Sequence, residues 1–172
     1  DGVSPDTNDP IRGEGTLARA LRGVIKLVQF GFLPIISATR TWPIEKECKA
    51  VGSFERMLRA VGYARPRIKI LPTLQLGAEV ERSCAYRESE RVTHEMMAEF
   101  DQSQLVCEHS RVVTDRGVHV CPILIESPDS VLGQVLAESA GPFQMRHGAC
   151  FTCYQYGAIC SNPSSGTTTR TS

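Results

Sequence analysis

The sequence predicts an α/β domain followed by a small cysteine-rich α+β module with a β-hairpin. Helical periodicity alternates with short apolar runs over the first part of the chain, and five of the seven cysteines lie within residues 107–160. Two β-rich runs also flank a Thr-Asp-Arg-Gly turn. These observations divide the 172 residues into an α/β part at 1–75, a linker with a short helix at 76–104, a module at 105–162 and a tail at 163–172 predicted to be disordered.

The first part of the chain alternates predicted helices and strands. Apolar residues at helical spacing predict an amphipathic helix over residues 16–30, and residues 33–38 form an apolar run typical of a strand covered on both faces. A second helix is predicted from about residue 45, and a second strand over residues 67–71. Short connections between such elements are typical of a parallel sheet or barrel. The glycines placed to end the two helices are Gly31 and Gly62.

The pattern changes in the second part of the chain. Residues 74–90 are polar and irregular, which predicts a linker, and a short helix is predicted over residues 93–100. Residues 105–113 and 118–125 are β-rich and predict a hairpin because Asp and Gly stand at the turn between them. A short amphipathic helix is predicted over residues 130–139.

Composition excludes several classes of partner. The formal net charge is zero with 22% charged residues, which argues against nucleic acid or an anionic membrane as the main partner. No apolar run approaches the roughly 20 residues of a membrane span, and the chain opens Asp-Gly-Val-Ser-Pro-Asp rather than with a signal peptide. We therefore expect a cytoplasmic protein, and we interpret the opening as a break inside a longer one.

The cysteines favour metal binding over a disulfide framework. Their number is odd, no secretory signal is present, and one pair has Cys-x-x-Cys spacing. Folding at the hairpin turn brings one cysteine of each strand together, and the Cys-x-x-Cys pair forms a knuckle that can direct both sulfurs at one centre. The candidate metal ligands are Cys107, Cys121, Cys150, Cys153 and Cys160. Cys48 and Cys84 stand alone and are expected to be unlinked core cysteines.

Spacing alone does not distinguish zinc from iron–sulfur. Tetrahedral zinc takes four thiolates, or thiolates with imidazole, and a [4Fe–4S] cluster takes four cysteines. The histidines that could replace one thiolate at a zinc site are His109, His119 and His147.

The order of these motifs resembles a SPASM or twitch domain, the auxiliary-cluster module of radical S-adenosylmethionine (radical SAM) enzymes. In such domains a cysteine, a glycine turn and a second cysteine are followed by a Leu-Gly-containing helix and a Cys-x-x-Cys-x₅₋₆-Cys block. Residues 107–121, 131–134 and 150–160 have this order. The spacer from Gly117 to Cys121 is one residue short, and five clustered cysteines suit one cluster, so twitch-like is the closer description.

The start of the chain is similar to another part of radical SAM enzymes. Asp1-Gly2 and the run Asp9-Pro-Ile-Arg12-Gly-Glu-Gly-Thr16 look like the loop after the fourth strand of their partial barrel. The resemblance, over about residues 1–162, implies the C-terminal part of a (βα)₆ partial TIM-like barrel followed by a twitch-like module. It implies that Arg12 meets the carboxylate of S-adenosylmethionine and that Ile70 and Leu71 line its adenine pocket. Taken alone, Arg12 suits a surface or capping arginine at a loop at least as well, and ordinary strand core is favoured for Ile70 and Leu71.

The resemblance also implies a function. The parent enzyme cleaves S-adenosylmethionine to a 5′-deoxyadenosyl radical, and an auxiliary [4Fe–4S] cluster binds substrate or carries electrons, with a peptide or protein as substrate. The Cys-x₃-Cys-x₂-Cys motif of the cleaving cluster does not occur in this sequence, so we assign no catalytic residue and expect the chain alone to be inactive. The alternative is a non-catalytic interaction module that zinc stabilises.

Overall fold

The computed structural model describes residues 1–141, 143–157 and 159, and the chain forms two units, Asp1–Thr73 and Leu74–Ser172. Both units mix helices with small sheets, as an α/β class requires. Within the described residues no helix is long and apolar enough to cross a membrane. Cys160 and the tail predicted to be disordered lie outside the described residues.

The first unit confirms the predicted alternation of helices and strands. Both predicted helix-ending glycines adopt positive φ, 82° at Gly31 and 94° at Gly62. These elements are preceded by a helix that the sequence did not predict. It was missed because two prolines and several polar residues resemble a loop there. The elements are α1 (Pro5–Arg12), α2 (Thr16–Gln29), β1 (Ile35–Thr39), a 3₁₀ turn (Ile44–Lys46), α3 (Glu47–Ala60) and β2 (Arg67–Leu71).

Strands β1 and β2 pair in parallel, with Ile35 opposite Arg67 and Thr39 opposite Leu71. The core of the unit is formed by apolar side chains of β1 and α3 and by the aromatic residue that follows α3. Tyr63 is buried, and its hydroxyl donates a 2.8 Å hydrogen bond to the carbonyl of Pro34, so the end of α3 is fixed to the start of β1. Leu17 of α2 also belongs to this core, so its buried apolar residues are Leu17, Ala38, Phe54, Leu58 and Tyr63.

The carboxylate of Asp9 supplies the cap for α2, whose N-cap position is occupied by Gly15 and has no capping side chain. It accepts hydrogen bonds from the backbone N–H of Gly15 at 2.7 Å and of Leu17 at 3.1 Å. The hydroxyl of Thr16 and the amide of Asn8 donate to the same carboxylate at 3.2 and 3.0 Å. These bonds stabilise the charged form and hold the pKa of Asp9 below its usual range, the amide of Asn8 having the largest effect. Asp9 therefore fixes the turn between α1 and α2.

This arrangement predicts a pH-dependent contribution from Asp9. Because the folded pKa is lowered, the stabilisation is fully present above the ordinary carboxyl pKa of about 4 and is lost as pH falls through the folded value. We expect Asp9→Asn to lower the urea midpoint of the first unit at pH 7, and the difference from the native chain to narrow below about pH 4. Asp6→Asn, at an exposed position of the same helix, is the control. A pH-independent difference would contradict this role.

Among its described residues, the second unit contains four short α-helices and a three-stranded antiparallel sheet of order β3 (Val112–Thr114), β4 (Gly117–His119), β5 (Val131–Gly133). The predicted hairpin is confirmed, with Val113 opposite Val118 and Thr114 opposite Gly117. The helices and strands are α4 (Glu79–Arg82), α5 (His94–Ala98), α6 (Val106–His109), β3 (Val112–Thr114), β4 (Gly117–His119), β5 (Val131–Gly133) and α7 (Gly148–Tyr156).

The hairpin is shorter than its β-rich sequence suggests. The segment around Cys107 is the helix α6 and not a strand. A 3₁₀ turn leads into it, and Asp101 caps this turn by accepting a 3.2 Å hydrogen bond from the N–H of Ser103. The return strand ends at His119 and a 3₁₀ turn begins at Pro122, which has no N–H to donate to a ladder.

The predicted helix over residues 130–139 is also wrong. Val131 pairs with His119, and Gly133 with Val118, so this segment begins as the third strand of the sheet. The carboxylate of Glu138 then accepts a 2.7 Å bond from the N–H of Gln134 and closes a 3₁₀ turn, Leu136–Ser139. Pairing with β4 outweighs the local helical pattern here.

The segment predicted as a linker contributes to the core of the second unit. Leu74, Leu76 and Tyr86 pack against that core, as do Met97 and Phe100 from the region of α5. The apolar residues of this segment are irregularly spaced, so the sequence shows no periodic pattern there, although each of these side chains contacts the core. The buried members of this core are Val92, Leu105, Val120, Leu124, Met145, Ala149 and Cys150.

Candidate metal centre

Four cysteines from three segments line one cavity of about 30 Å³ in the second unit. Cys107 lies on α6, Cys121 in the loop after β4, and Cys150 and Cys153 on α7. Apolar side chains form the rest of the wall, among them Val120, Leu124, Phe143 and Met145. Cys150 is buried and the other three cysteines are partly exposed. The structure thus brings together four of the five candidate ligands; Cys160, the fifth, lies outside the described residues.

Arg111 fixes the segment that carries Cys107. Its guanidinium donates 2.7 and 2.9 Å bonds to the carbonyls of Cys107 and Ser110, and 2.9 and 3.1 Å bonds to those of Ser139 and Gly141. One side chain therefore links α6 to the turn at the end of residues 131–141. The planar fork of five N–H donors makes this possible, and an ammonium group has no equivalent geometry.

Replacement of Arg111 tests this link. We expect Arg111→Lys to lower the free energy of unfolding of the second unit by about 1–3 kcal/mol, because partly buried carbonyls lose a charged donor. The metal content of the chain should fall with it, because Cys107 loses its fixed position. Arg116→Lys, which alters an exposed pair with Glu126, is the matched control for urea unfolding and metal analysis. Equal behaviour of the two variants would show that Arg111 does not position the site.

The Cys-x-x-Cys pair lies in the first two turns of α7, so the predicted knuckle is part of a helix. The start of α7 is held from outside the helix by Tyr86, whose hydroxyl shares a 2.7 Å hydrogen bond with that of Thr152. The ring of Tyr86 also lies directly over Gly148. A residue of the predicted linker therefore positions the helix that carries two of the cysteines.

Burial raises the pKa of Cys150 to about 11, and negative charge on Cys121 and Cys153 acts in the same direction. Backbone hydrogen bonds from His147 and Arg146 oppose this rise only in part. Reactive Cys-x-x-Cys pairs of oxidoreductases have the opposite property, a lowered thiol pKa at a helix start. A buried thiol that ionises only with a neighbouring cation suits a metal ligand better than a redox nucleophile.

Among the described residues no group of three or more histidine, cysteine or acidic side chains has the spacing that holds a metal ion. The four cysteines nevertheless line a common cavity. The two findings are compatible, because one zinc ion requires sulfurs about 2.3 Å from a single point, whereas a [4Fe–4S] cluster places each cysteine on a different iron.

No protein-family model, curated protein or solved structure matches the chain. The radical SAM and twitch-like resemblance therefore rests on the spacing of the motifs, and its consequences are hypotheses for experiment. The site itself is defined by its residues and their surroundings.

Among the described residues, Cys48, Cys84 and the histidines do not line the cavity. Cys48, on α3 of the first unit, and Cys84 are both exposed, which corrects their assignment to a core. His119 is buried, and its two ring nitrogens contact the hydroxyls of Ser130 at 2.8 Å and Thr114 at 3.0 Å. His109 is exposed. His147 precedes α7 and lies 3.5 Å from the hydroxyl of Ser127.

The three candidate cofactor residues of the first unit lie toward the carboxyl ends of the parallel strands. Arg12 forms an ion pair with the buried carboxylate of Asp1 and reaches the hydroxyl of Thr39 at 3.5 Å. Leu71 is the register partner of Thr39, and Ile70 is that of Ala38. Both aliphatic side chains are partly buried. Arg12 and Leu71 thus share Thr39 as a neighbour, at the edge where parallel α/β folds place their ligands.

Sequence reasoning missed the residues that support the cysteines. Arg111 bonds to backbone carbonyls, and such bonds leave no pattern of residue types. Tyr86 lies in a polar segment, and the isolated aromatic residue there was the one sequence feature that could have indicated a buried contact.

Proposed function

We propose that the second unit binds an auxiliary [4Fe–4S] cluster through Cys107, Cys121, Cys150 and Cys153, with Cys160 as a fifth candidate ligand. The observation that carries this proposal is the convergence of four cysteines from three segments on one apolar cavity. Four cysteines match the demand of the cluster for one thiolate on each iron.

The chemistry of the cavity suits this group. Its apolar wall excludes water, which is one of the factors that set a cluster's reduction potential. Cys150 lies in that wall with a raised thiol pKa, so its thiolate form needs the positive charge that bound iron supplies. The thiols of Cys107, Cys121 and Cys153 remain partly open to solvent, which gives iron a route to the site. When bound, an auxiliary cluster supplies an electron carrier or an iron that coordinates substrate.

We further propose that the chain is the C-terminal portion of a radical SAM enzyme acting on a peptide or protein. Two features support this beyond the motif order. The motif from Asp9 to Thr16 forms a turn in which the carboxylate of Asp9 caps α2. The residue types of this motif therefore have a structural reason to occur together. Strands β1 and β2 form a parallel pair whose side chains are mostly only partly buried, as expected of barrel strands that need further neighbours.

A zinc-stabilised interaction module is the second candidate, and the size of the cavity favours it. A volume of about 30 Å³ admits a water-sized guest. A four-iron cluster requires the cysteine-bearing segments to move apart, whereas a single zinc ion requires the sulfurs to move toward one point.

Colour and metal content distinguish the two. The chain is reconstituted anaerobically with iron and sulfide in one sample and with zinc in another. We expect the iron sample to turn brown, with broad visible absorption and retained sulfide after desalting, and to keep its iron when zinc is added. A colourless protein that retains one zinc and loses its iron would establish the zinc module instead.

A further inference from the structure

We propose a second ligand site in the first unit, a groove that binds a small organic anion with a flat apolar part. The groove has a volume of about 370 Å³, which lies in the range typical of small-molecule sites. Thr41 and Trp42, which follow the carboxyl end of β1, line it together with residues 1–3 and side chains of α3. It involves no cysteine and is independent of the proposed metal centre.

The charge of the groove is positive. Lys46 and Lys49 both line it and are exposed, and neither has a carboxylate within 4.0 Å in the described part of the chain. The single acidic residue in the described lining is Asp1, whose carboxylate is already paired with Arg12. Two ammonium groups without partners favour a carboxylate or phosphate as ligand.

The floor of the groove is aromatic. The rings of Trp42 and Phe54 lie with centroids 5.8 Å apart, and both side chains line the groove. The indole Nε1 of Trp42 is buried and has no acceptor among the described residues. An apolar floor beneath two cations suits a ligand that joins a flat group to an anion.

Trp42 is the only tryptophan of the sequence, so its fluorescence reports on this groove directly. The 172-residue chain is titrated with phenyl phosphate and benzoate, with benzyl alcohol as the neutral probe and inorganic phosphate as the anion without a ring. We expect saturable changes with the two aromatic anions, and none with benzyl alcohol. Inorganic phosphate should bind much more weakly.

Lysine variants provide the second part of the binding test. Lys46→Gln combined with Lys49→Gln should weaken phenyl phosphate binding about tenfold, because each exposed charge contributes a few-fold. Lys26→Gln, at an exposed position on α2, should leave it unchanged. The proposal is overturned if no aromatic anion gives a saturable change, if inorganic phosphate binds equally well, or if Lys26→Gln weakens binding as much as the double change. Circular dichroism of each variant confirms that the fold is intact.

Discussion

Cys153→Ala should abolish stable iron binding, whereas Cys84→Ala should leave it unchanged. Cys153 lines the shared cavity one helical turn after Cys150, and Cys84 is exposed and lies outside that lining. Loss of one thiolate from a four-iron site should weaken metal binding by more than about tenfold, since even changes to supporting residues cost 10–100-fold. Iron and sulfide analysis of the two desalted variants measures the effect.

Hydrogen exchange gives the structural counterpart of this prediction. Metal binding free energy contributes to folding in small metal modules. The amides of β3 and β4 should therefore lose protection in Cys153→Ala and keep it in Cys84→Ala, while those of α3 in the first unit should be unchanged in both. Equal metal content and equal hairpin protection in the two variants would mean that Cys153 is not a ligand.

Gly148→Ala should destabilise the second unit by about 1–3 kcal/mol. A Cβ at this position would lie 2.2 Å from Cγ and 2.4 Å from Cβ of Tyr86, atoms at the base of the side chain that cannot turn away. Tyr86 must move, and its hydrogen bond to Thr152 on the cysteine helix is lost. Urea unfolding of the second unit measures the change, and metal content should fall with it.

Two further variants separate this clash from a general glycine effect. Gly141→Ala places its Cβ where no described residue beyond its chain neighbours has an atom within 4 Å, so it should be nearly neutral. Tyr86→Gly in the Gly148→Ala background removes both the ring and its Cβ, so the two changes together should cost less than the sum of each alone. Strict additivity would contradict the proposed contact between Tyr86 and Gly148.

The first unit could be predicted from sequence because its signals are local and repeated. Helix α2 has a continuous apolar stripe, and a glycine with positive φ follows each of α2 and α3. Strand β2, Arg67–Leu71, has the predicted bounds because Pro72 ends a short segment that contains Ile68, Ile70 and Leu71. Helix α1 was missed because Pro5, Pro10 and several polar residues resemble a loop, although Ser4 starts the helix with a capping box.

The second unit was harder because its order depends on contacts between distant residues. The β-rich run around Leu105 forms a helical turn, since burial of Leu105 in the core does not require a strand. Val131 pairs with β4 although its neighbours have helical spacing. The convergence of the cysteines could be anticipated from hairpin and Cys-x-x-Cys spacing, but the supports from Arg111 and Tyr86 could not.

The most direct test of the central claim is an iron anomalous difference map from crystals of the anaerobically reconstituted chain. The account predicts a compact group of iron peaks in the second unit, with the sulfurs of Cys107, Cys121, Cys150 and Cys153 bound to it. A map in which the sulfur of Cys160 is bound in place of one of these four would still support a cluster at this site. Iron elsewhere in the molecule, or a single zinc peak among the cysteines, would contradict the account.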